Sequence, residues 1–407
     1  MFGPLFQVEP LMRYQRLGSH APPGRLCCTP IDRPSTSIIR QTLWAPLMAN
    51  NEINLAIILL KPIVYEHDAQ QHSRFSATLR EANRKGKKMT QIRGFVRPTR
   101  RPGELGIHSL DSFNLVVPDM EAAKAFYGEF GLDLQARGNH FNVHTQGHWH
   151  RWGTITEGSR KRLSHLSFGI FEDDFDRFKD RLGHVGIQQL DAPKGFESNG
   201  LWFHNPDGLL LEVRVAEKSS PNEKSTFAMT SAPPGSQGSP NRSQAPRTSP
   251  RRLAHILIFT ADVPASISFY ERVLGLRLSD RSGDGIAFMH GIHGSDHHLI
   301  ALAKAQGPGL HHLSWDVGTI NDIGLGAIHM ADKGFTVGWG LGRHVLGSNY
   351  FHYVRDPWGS YAEYSADIDY IPVNCDWRAE DHPPHDSFYL WGPVPPEDFA
   401  VNHEVAG

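Results

Sequence analysis

Cysteine is scarce in this sequence: 407 residues contain three, Cys27, Cys28 and Cys375. Thiols so placed form neither a disulfide framework nor the paired CxxC spacing of a zinc site. Any metal held by side chains must therefore take imidazole and carboxylate. Long apolar runs are missing as well. The longest, Leu55 to Leu60, ends at Lys61-Pro62, against the roughly 18 to 20 apolar residues that a membrane helix needs. The first thirty residues lack the basic-then-apolar order of a secretory signal, so a reducing, cytoplasmic setting with no membrane partner is expected. Excess charge of one sign is absent too: 41 Lys and Arg stand against 43 Asp and Glu, a formal net charge of −2. Nothing in that balance attracts nucleic acid.

What the sequence does have is histidine, 24 residues in all, and an internal order. Residues 1–104 read as an N-terminal extension without sustained periodicity. From Arg74 to Gly103 it carries ten Lys or Arg against one acid, Glu81. Without the aromatic ladder of a stacking platform, this stretch is expected to be a solvated tail. The run Arg84-Lys85-Gly86-Lys87-Lys88 corresponds to purine-rich codons, as a translated ribosome-binding site would, which places the expected native start at Met89. Residues 217–252, dense in Ser, Pro, Gly and Asn, read as a flexible linker. It separates two halves, 105–216 and 253–370, and residues 371–407 form a C-terminal extension rich in aromatics and Pro that can cover a pocket.

The halves repeat one another. Ser112-Phe113-Asn114-Leu115-Val116-Val117-Pro118-Asp119 aligns with His255-Ile256-Leu257-Ile258-Phe259-Thr260-Ala261-Asp262, and Phe126-Tyr127 with Phe269-Tyr270. His165-Leu166-Ser167-Phe168 matches His312-Leu313-Ser314-Trp315, and Asn205-Pro206-Asp207-Gly208 with Glu212 matches Asp356-Pro357-Trp358-Gly359 with Glu363. In each half a β-rich run ends at an Asp suited to cap a helix, Asp119 or Asp262, and the helix closes at Gly131 or Gly275. Ile267, Tyr270 and Leu274 give the second of these helices a buried face. The plan restarts at His165 and at His312. The expected fold class is α+β: two tandem domains, each of two βαβββ modules on curved antiparallel sheet.

His255, His312 and Glu363 occupy equivalent places in their units and are the candidate metal ligands. Two imidazoles and a carboxylate form the facial triad that suits non-haem Fe(II), with Mn(II) also accepted, and leave coordination positions open. A catechol can chelate through adjacent hydroxyls while O2 takes the remaining position.

The tandem repeat and these motifs resemble the vicinal oxygen chelate (glyoxalase/bleomycin resistance/dioxygenase) superfamily, and within it the type I extradiol ring-cleavage dioxygenases. The resemblance covers about residues 107–370 and rests most firmly on Arg343-His344-Val345-Leu346-Gly347-Ser348-Asn349-Tyr350-Phe351-His352-Tyr353 followed by Asp356-Pro357-Trp358-Gly359 and Glu363. It implies that His344 and Tyr353 hydrogen-bond the substrate, and that a pocket histidine in a His-x-x-Ala strand, His298 or its neighbour His297, exchanges protons with it. The implied activity is extradiol (meta) cleavage of a catecholic compound with O2 at mononuclear Fe(II), in aromatic catabolism, by a homo-oligomer. A glyoxalase-type lyase or isomerase, which normally uses four protein ligands, and a non-catalytic small-molecule-binding protein are the alternatives. In the first half the ligand places hold Ser112, His165 and Glu212. That half is expected to keep the fold without the metal, His165 serving as a satisfied structural residue. His140, His144, His148 and His150 lack a partner carboxylate at ligand spacing and are expected to be solvated or at an interface.

Overall fold

The computed structural model describes residues 97–405, apart from residues 197 and 230. The basic run before Met89, that start itself, Cys27 and Cys28 lie outside the described residues.

The first half opens with β1 (Ser109–Val117), after which the Asp119 carboxylate accepts the Ala122 N–H at 2.9 Å and starts α1 (Met120–Glu129). This places a side-chain acceptor on a backbone donor that has no partner inside the helix. Strands β2 (Leu132–Arg137), β3 (His140–Thr145) and β4 (Gly153–Glu157) complete the unit, and β5 (Arg162–Ile170), α2 (Phe175–His184), β6 (Leu201–His204) and β7 (Leu210–Val215) form the next. Here the first of the three strands after the helix is reduced to a single bridge, Leu190 to Trp202.

The second half repeats the plan with β8 (Arg252–Thr260), α3 (Val263–Phe269), β9 (Leu276–Ser282), β10 (Ile286–Gly291), the short β11 (Ser295–Asp296) and β12 (Ile300–Lys304). Its fourth unit is β13 (Gly309–Asp316), α4 (Ile320–Asp332), β14 (Gly338–His344), β15 (Tyr350–Arg355) and β16 (Tyr361–Ala366). Asp262 caps α3 through the Ala265 N–H at 2.9 Å. The expected helix does not stay α-helical: it widens to a π turn at Tyr270–Leu274 before Gly275, at φ +70°, ends it. That turn keeps Phe269, Tyr270, Val273 and Leu274 all buried.

In the seven-stranded sheet the order is β2-β3-β4-β1-β5-β7-β6, and β9-β10-β12-β8-β13-β16-β15-β14 repeats it within the ten-stranded sheet. Duplication extends to the irregularities. Asp111 on β1 and Ser164 on β5 are extra residues in their ladder, as Ala254 on β8 and His311 on β13 are in theirs. Such bulges re-aim the side chains beside them. The helices of one half pack on the other: Phe130 stacks on Tyr364 at 3.9 Å, and the Tyr364 hydroxyl donates to the Phe130 carbonyl.

Residues 217–252 are fastened at both ends. The N–H groups of Ser219 and Ser220 both donate to Ser109 Oγ, Phe227 stacks on Tyr350, and Thr248 Oγ1 donates to the Asp322 carbonyl. The middle, residues 231–247, is exposed throughout. The C-terminal extension contributes β17 (Tyr370–Ile371), β18 (Glu380–Asp381), α5 (Pro384–Ser387) and β19 (Tyr389–Trp391). β18 and β19 form the two edges of the larger sheet. Among the described residues no helix is long and apolar enough to cross a membrane.

Candidate metal centre

Strands β8, β13 and β16 lie side by side, and their register places His255, Ser314 and Glu363 in one row. His312 precedes Ser314 by two residues and so shares its face. One ligand atom from each of His255, His312 and Glu363 lies within 4.8 Å of the others. His255 Nε2 and His312 Nε2 stand 3.3 and 3.6 Å from Glu363 Oε2, and all three side chains are buried.

The hydrogen bonds around this cluster leave its inner atoms unpaired. Asn349 Nδ2 donates to Glu363 Oε1 at 3.2 Å, while Glu363 Oε2 and His312 Nε2 have no partner. Unmet buried polar atoms cost about 1–3 kcal/mol each, and a divalent cation supplies what they lack. The tautomer of His312 agrees. His311 Nε2–H donates to the Phe399 carbonyl at 2.8 Å, so His311 Nδ1 accepts from His312 Nδ1–H at 2.7 Å and His312 Nε2 keeps its lone pair. Burial, reinforced by the positive charge that His311 and His255 would carry, holds His312 well below its ordinary pKa. Neutral imidazole is the ligating form. Burial pushes Glu363 up, but His255 beside it and His344 draw it below the usual carboxylate value.

A second doublet has the same logic. His297 Nε2–H donates to Asp280 Oδ2 at 2.9 Å, and its Nδ1 accepts from His298 Nδ1–H at 3.1 Å. His298, with its ring 4.0 Å from that of His255, is the member beside the triad. Burial holds it neutral. His344 Nδ1–H donates to the Phe388 carbonyl, and its Nε2 accepts the Tyr353 hydroxyl at 2.9 Å. Tyr353 faces Glu363 in the β15–β16 ladder. Burial and then the Glu363 charge push its phenol well above the ordinary value, so it stays protonated.

All six sequence-selected residues are thus brought together around one centre. Sequence reasoning missed Asn349, Asp280, the outer histidines His297 and His311 as partners, and the carbonyls of Phe388 and Phe399. The adjacent His-His doublets were the visible signal. Of the His140 to His150 group, His148 is exposed and His140 half-buried, but His144 and His150 are buried: His144 Nδ1 bonds the His150 carbonyl, and His150 Nε2 donates to the Asp111 carbonyl, both at 2.8 Å.

Residues 109–213 and 252–364 each match the Glyoxalase/Bleomycin resistance protein/Dioxygenase superfamily. The chain is 48% identical to metapyrocatechase 2 of Cupriavidus necator over 308 residues, 76% of this chain and 96% of that protein. It is 21% identical to a manganese-dependent 2,3-dihydroxybiphenyl 1,2-dioxygenase of Geobacillus genomosp. 3, over 69% of this chain and 92% of that one. The Mn(II)-bound glyoxalase of Novosphingobium aromaticivorans shares the fold at a TM-score of 0.58 and 24% identity, covering 72% of this chain and 94% of that one. With both halves matched and a relative covered nearly end to end, the chain belongs to the Glyoxalase/Bleomycin resistance protein/Dioxygenase superfamily.

Proposed function

We propose that this protein is an extradiol dioxygenase that opens a catecholic ring with O2 at one Fe(II) held by His255, His312 and Glu363. The observation that carries the reading is the juxtaposition, in one buried site, of a two-histidine, one-carboxylate triad with the Tyr353–His344 pair and His298. The relatives named metapyrocatechase 2 and 2,3-dihydroxybiphenyl 1,2-dioxygenase support it. The metal, when bound, supplies Lewis acidity at the catechol hydroxyls and redox access to O2; the same ligand set accepts Mn(II). A glyoxalase-type reading asks for a fourth protein ligand, and three converge among the described residues.

The residues divide the remaining work. His298 has Nδ1 committed to His297, which leaves the Nε2 lone pair to accept a hydroxyl proton from substrate and return it to the departing oxygen. Tyr353, already donating to His344, offers its phenol oxygen as an acceptor to a substrate hydroxyl. The extension at residues 371–407 covers the site: Phe399 lies on Tyr353 and His311 at 5.1 and 4.8 Å, and Phe388 stacks on Trp339. Excluding water there strengthens each polar contact inside.

Anaerobic loading with Fe(II), followed by a panel of catechols in air, tests the reading. A yellow ring-fission product that requires the metal is expected. Stoichiometric iron with no such product across the panel would overturn it.

A further inference from the structure

The first half contains a space where the second half has its metal centre. Register carries the equivalence: Ser112 pairs with Ser167 and Ser167 with Glu212, as His255 pairs with Ser314 and Ser314 with Glu363. Around these residues lies a cavity of about 700 Å³, within the range of small-ligand pockets. Its residues no longer converge on a cation. Serine replaces one imidazole, and the two oxygens of Glu212 accept the hydroxyls of Ser167 and Ser198.

What remains is a different kind of site. His165, expected to be a satisfied structural residue, is not one: it is 4% exposed, and its Nδ1 has no hydrogen-bond partner. Trp202 is 2% exposed, and its indole N–H is likewise unpartnered. Both line the cavity. The ring of Phe196 meets His165 edge-on at 4.6 Å, and Trp202 does so at 5.0 Å, which makes a slot with aromatic walls. Arg151, Arg162 and Arg214 line the same cavity. Among the described residues only Arg214 of these has a carboxylate within 4.0 Å, Asp111, while Glu157 and Glu212 also line the cavity.

From this arrangement we propose that the first half's cavity binds a small aromatic carboxylate bearing a ring hydroxyl, at a site separate from the metal centre. The guanidinium groups take the carboxylate, as planar forks suited to it. Trp202 and Phe196 take the ring. The hydroxyl goes inward to the unpaired His165 nitrogen and accepts the indole N–H, away from any clash between the ligand's charge and Glu212. A metal is not involved, so the site stands independently of the dioxygenase reading.

Calorimetric titration of the full-length protein with 4-hydroxybenzoate tests this, since one hydroxyl cannot chelate the metal as a catechol does. One site is expected, still present in Glu363→Ala. Affinity should fall about tenfold or more in Arg151→Ala/Arg214→Ala and in Trp202→Phe, the worth of a charge-assisted or buried hydrogen bond. Acetate and benzyl alcohol, each lacking half of the recognised chemistry, should bind correspondingly weaker. Absence of binding up to about 10 mM, near the weak end of specific affinities, would overturn the proposal. So would loss of binding in Glu363→Ala, or unchanged affinity in the arginine double variant, whose Arg151 position is exposed and tolerant of substitution.

Discussion

At the scale of single residues, the histidine doublets work as pairs. A strand sends neighbouring side chains to opposite faces, which makes His311 and His312 look like competitors for one role. The bulge at His311 changes that, because the extra residue lets both rings turn toward each other across 2.7 Å. The outer ring, fixed by the Phe399 carbonyl, sets the tautomer of the inner one. Replacing it should therefore act on the metal. His311→Phe keeps a ring of similar bulk, removes the acceptor for His312 Nδ1–H, and should weaken Fe(II) affinity about 10- to 100-fold, as loss of a ligand's orienting partner does. Equilibrium competition with a chelator measures it; an affinity equal to wild type would remove His311 from any orienting role. Tyr353→Phe should behave in the opposite way. Metal affinity should hold, and kcat should fall about tenfold for the one hydrogen bond to the substrate hydroxyl that is lost. Steady-state rates at matched iron content decide it.

Elements differ in how well the sequence announces them. The caps at Asp119 and Asp262, the strand repeats and the triad's strand positions were legible, since each depends on local pattern or on the duplication. How the C-terminal extension is anchored was not, because it is held by single long-range contacts that leave no periodic trace. The clearest is Glu404. Its carboxylate accepts from Lys161 Nζ at 2.7 Å, from the Leu163 N–H in β5 and from the Leu310 N–H in β13, and so ties the chain's end to both halves. Lys161 and Glu404 side chains are 4% and 8% exposed. Breaking a buried pair by neutralising one member leaves an uncompensated charge, which costs about 3–5 kcal/mol. Glu404→Gln should lower the urea midpoint accordingly and expose the Phe399 carbonyl region to hydrogen exchange. A variant as stable as wild type would show that Lys161 is held by Ser360 alone.

Over the whole molecule, the seam between the halves carries two neutral imidazoles, and they contribute a defined share of how the fold responds to acid. His108 donates from Nε2 to the Ala216 carbonyl at 3.1 Å. Its Nδ1 accepts from Ser109 Oγ, a hydroxyl free to donate because it accepts two backbone N–H groups. His293 is equally committed: Nδ1 accepts the Arg101 N–H, and Nε2–H donates to the Gly106 carbonyl. The Phe171 ring lies between the two imidazoles, at 4.6 and 5.2 Å. Burial, followed by the charge of Lys218, lowers His108 to about 3; burial lowers His293 to about 4. In the unfolded chain both return to the ordinary value near 6.5. Below that pH the unfolded state takes up protons that the native state refuses, so ∂ΔG/∂pH is positive. Their full contribution is present above pH 6.5 and declines as pH falls toward 4 and 3. By pH 5 the two together should cost on the order of 4 kcal/mol, each following the ~1.4 kcal/mol per pH unit of a one-proton difference. Urea denaturation of EDTA-treated protein at pH 7.5 and pH 5 should show that decline, starting well above the carboxylate range. The double variant His108→Asn/His293→Asn should start less stable and lose about 4 kcal/mol less between the same two values, the rest of the decline coming from the other buried imidazoles, His165, His290, His311 and His352 among them. An equally steep decline in the double variant would place the acid sensitivity elsewhere, in the buried imidazoles of the metal centre rather than in the seam.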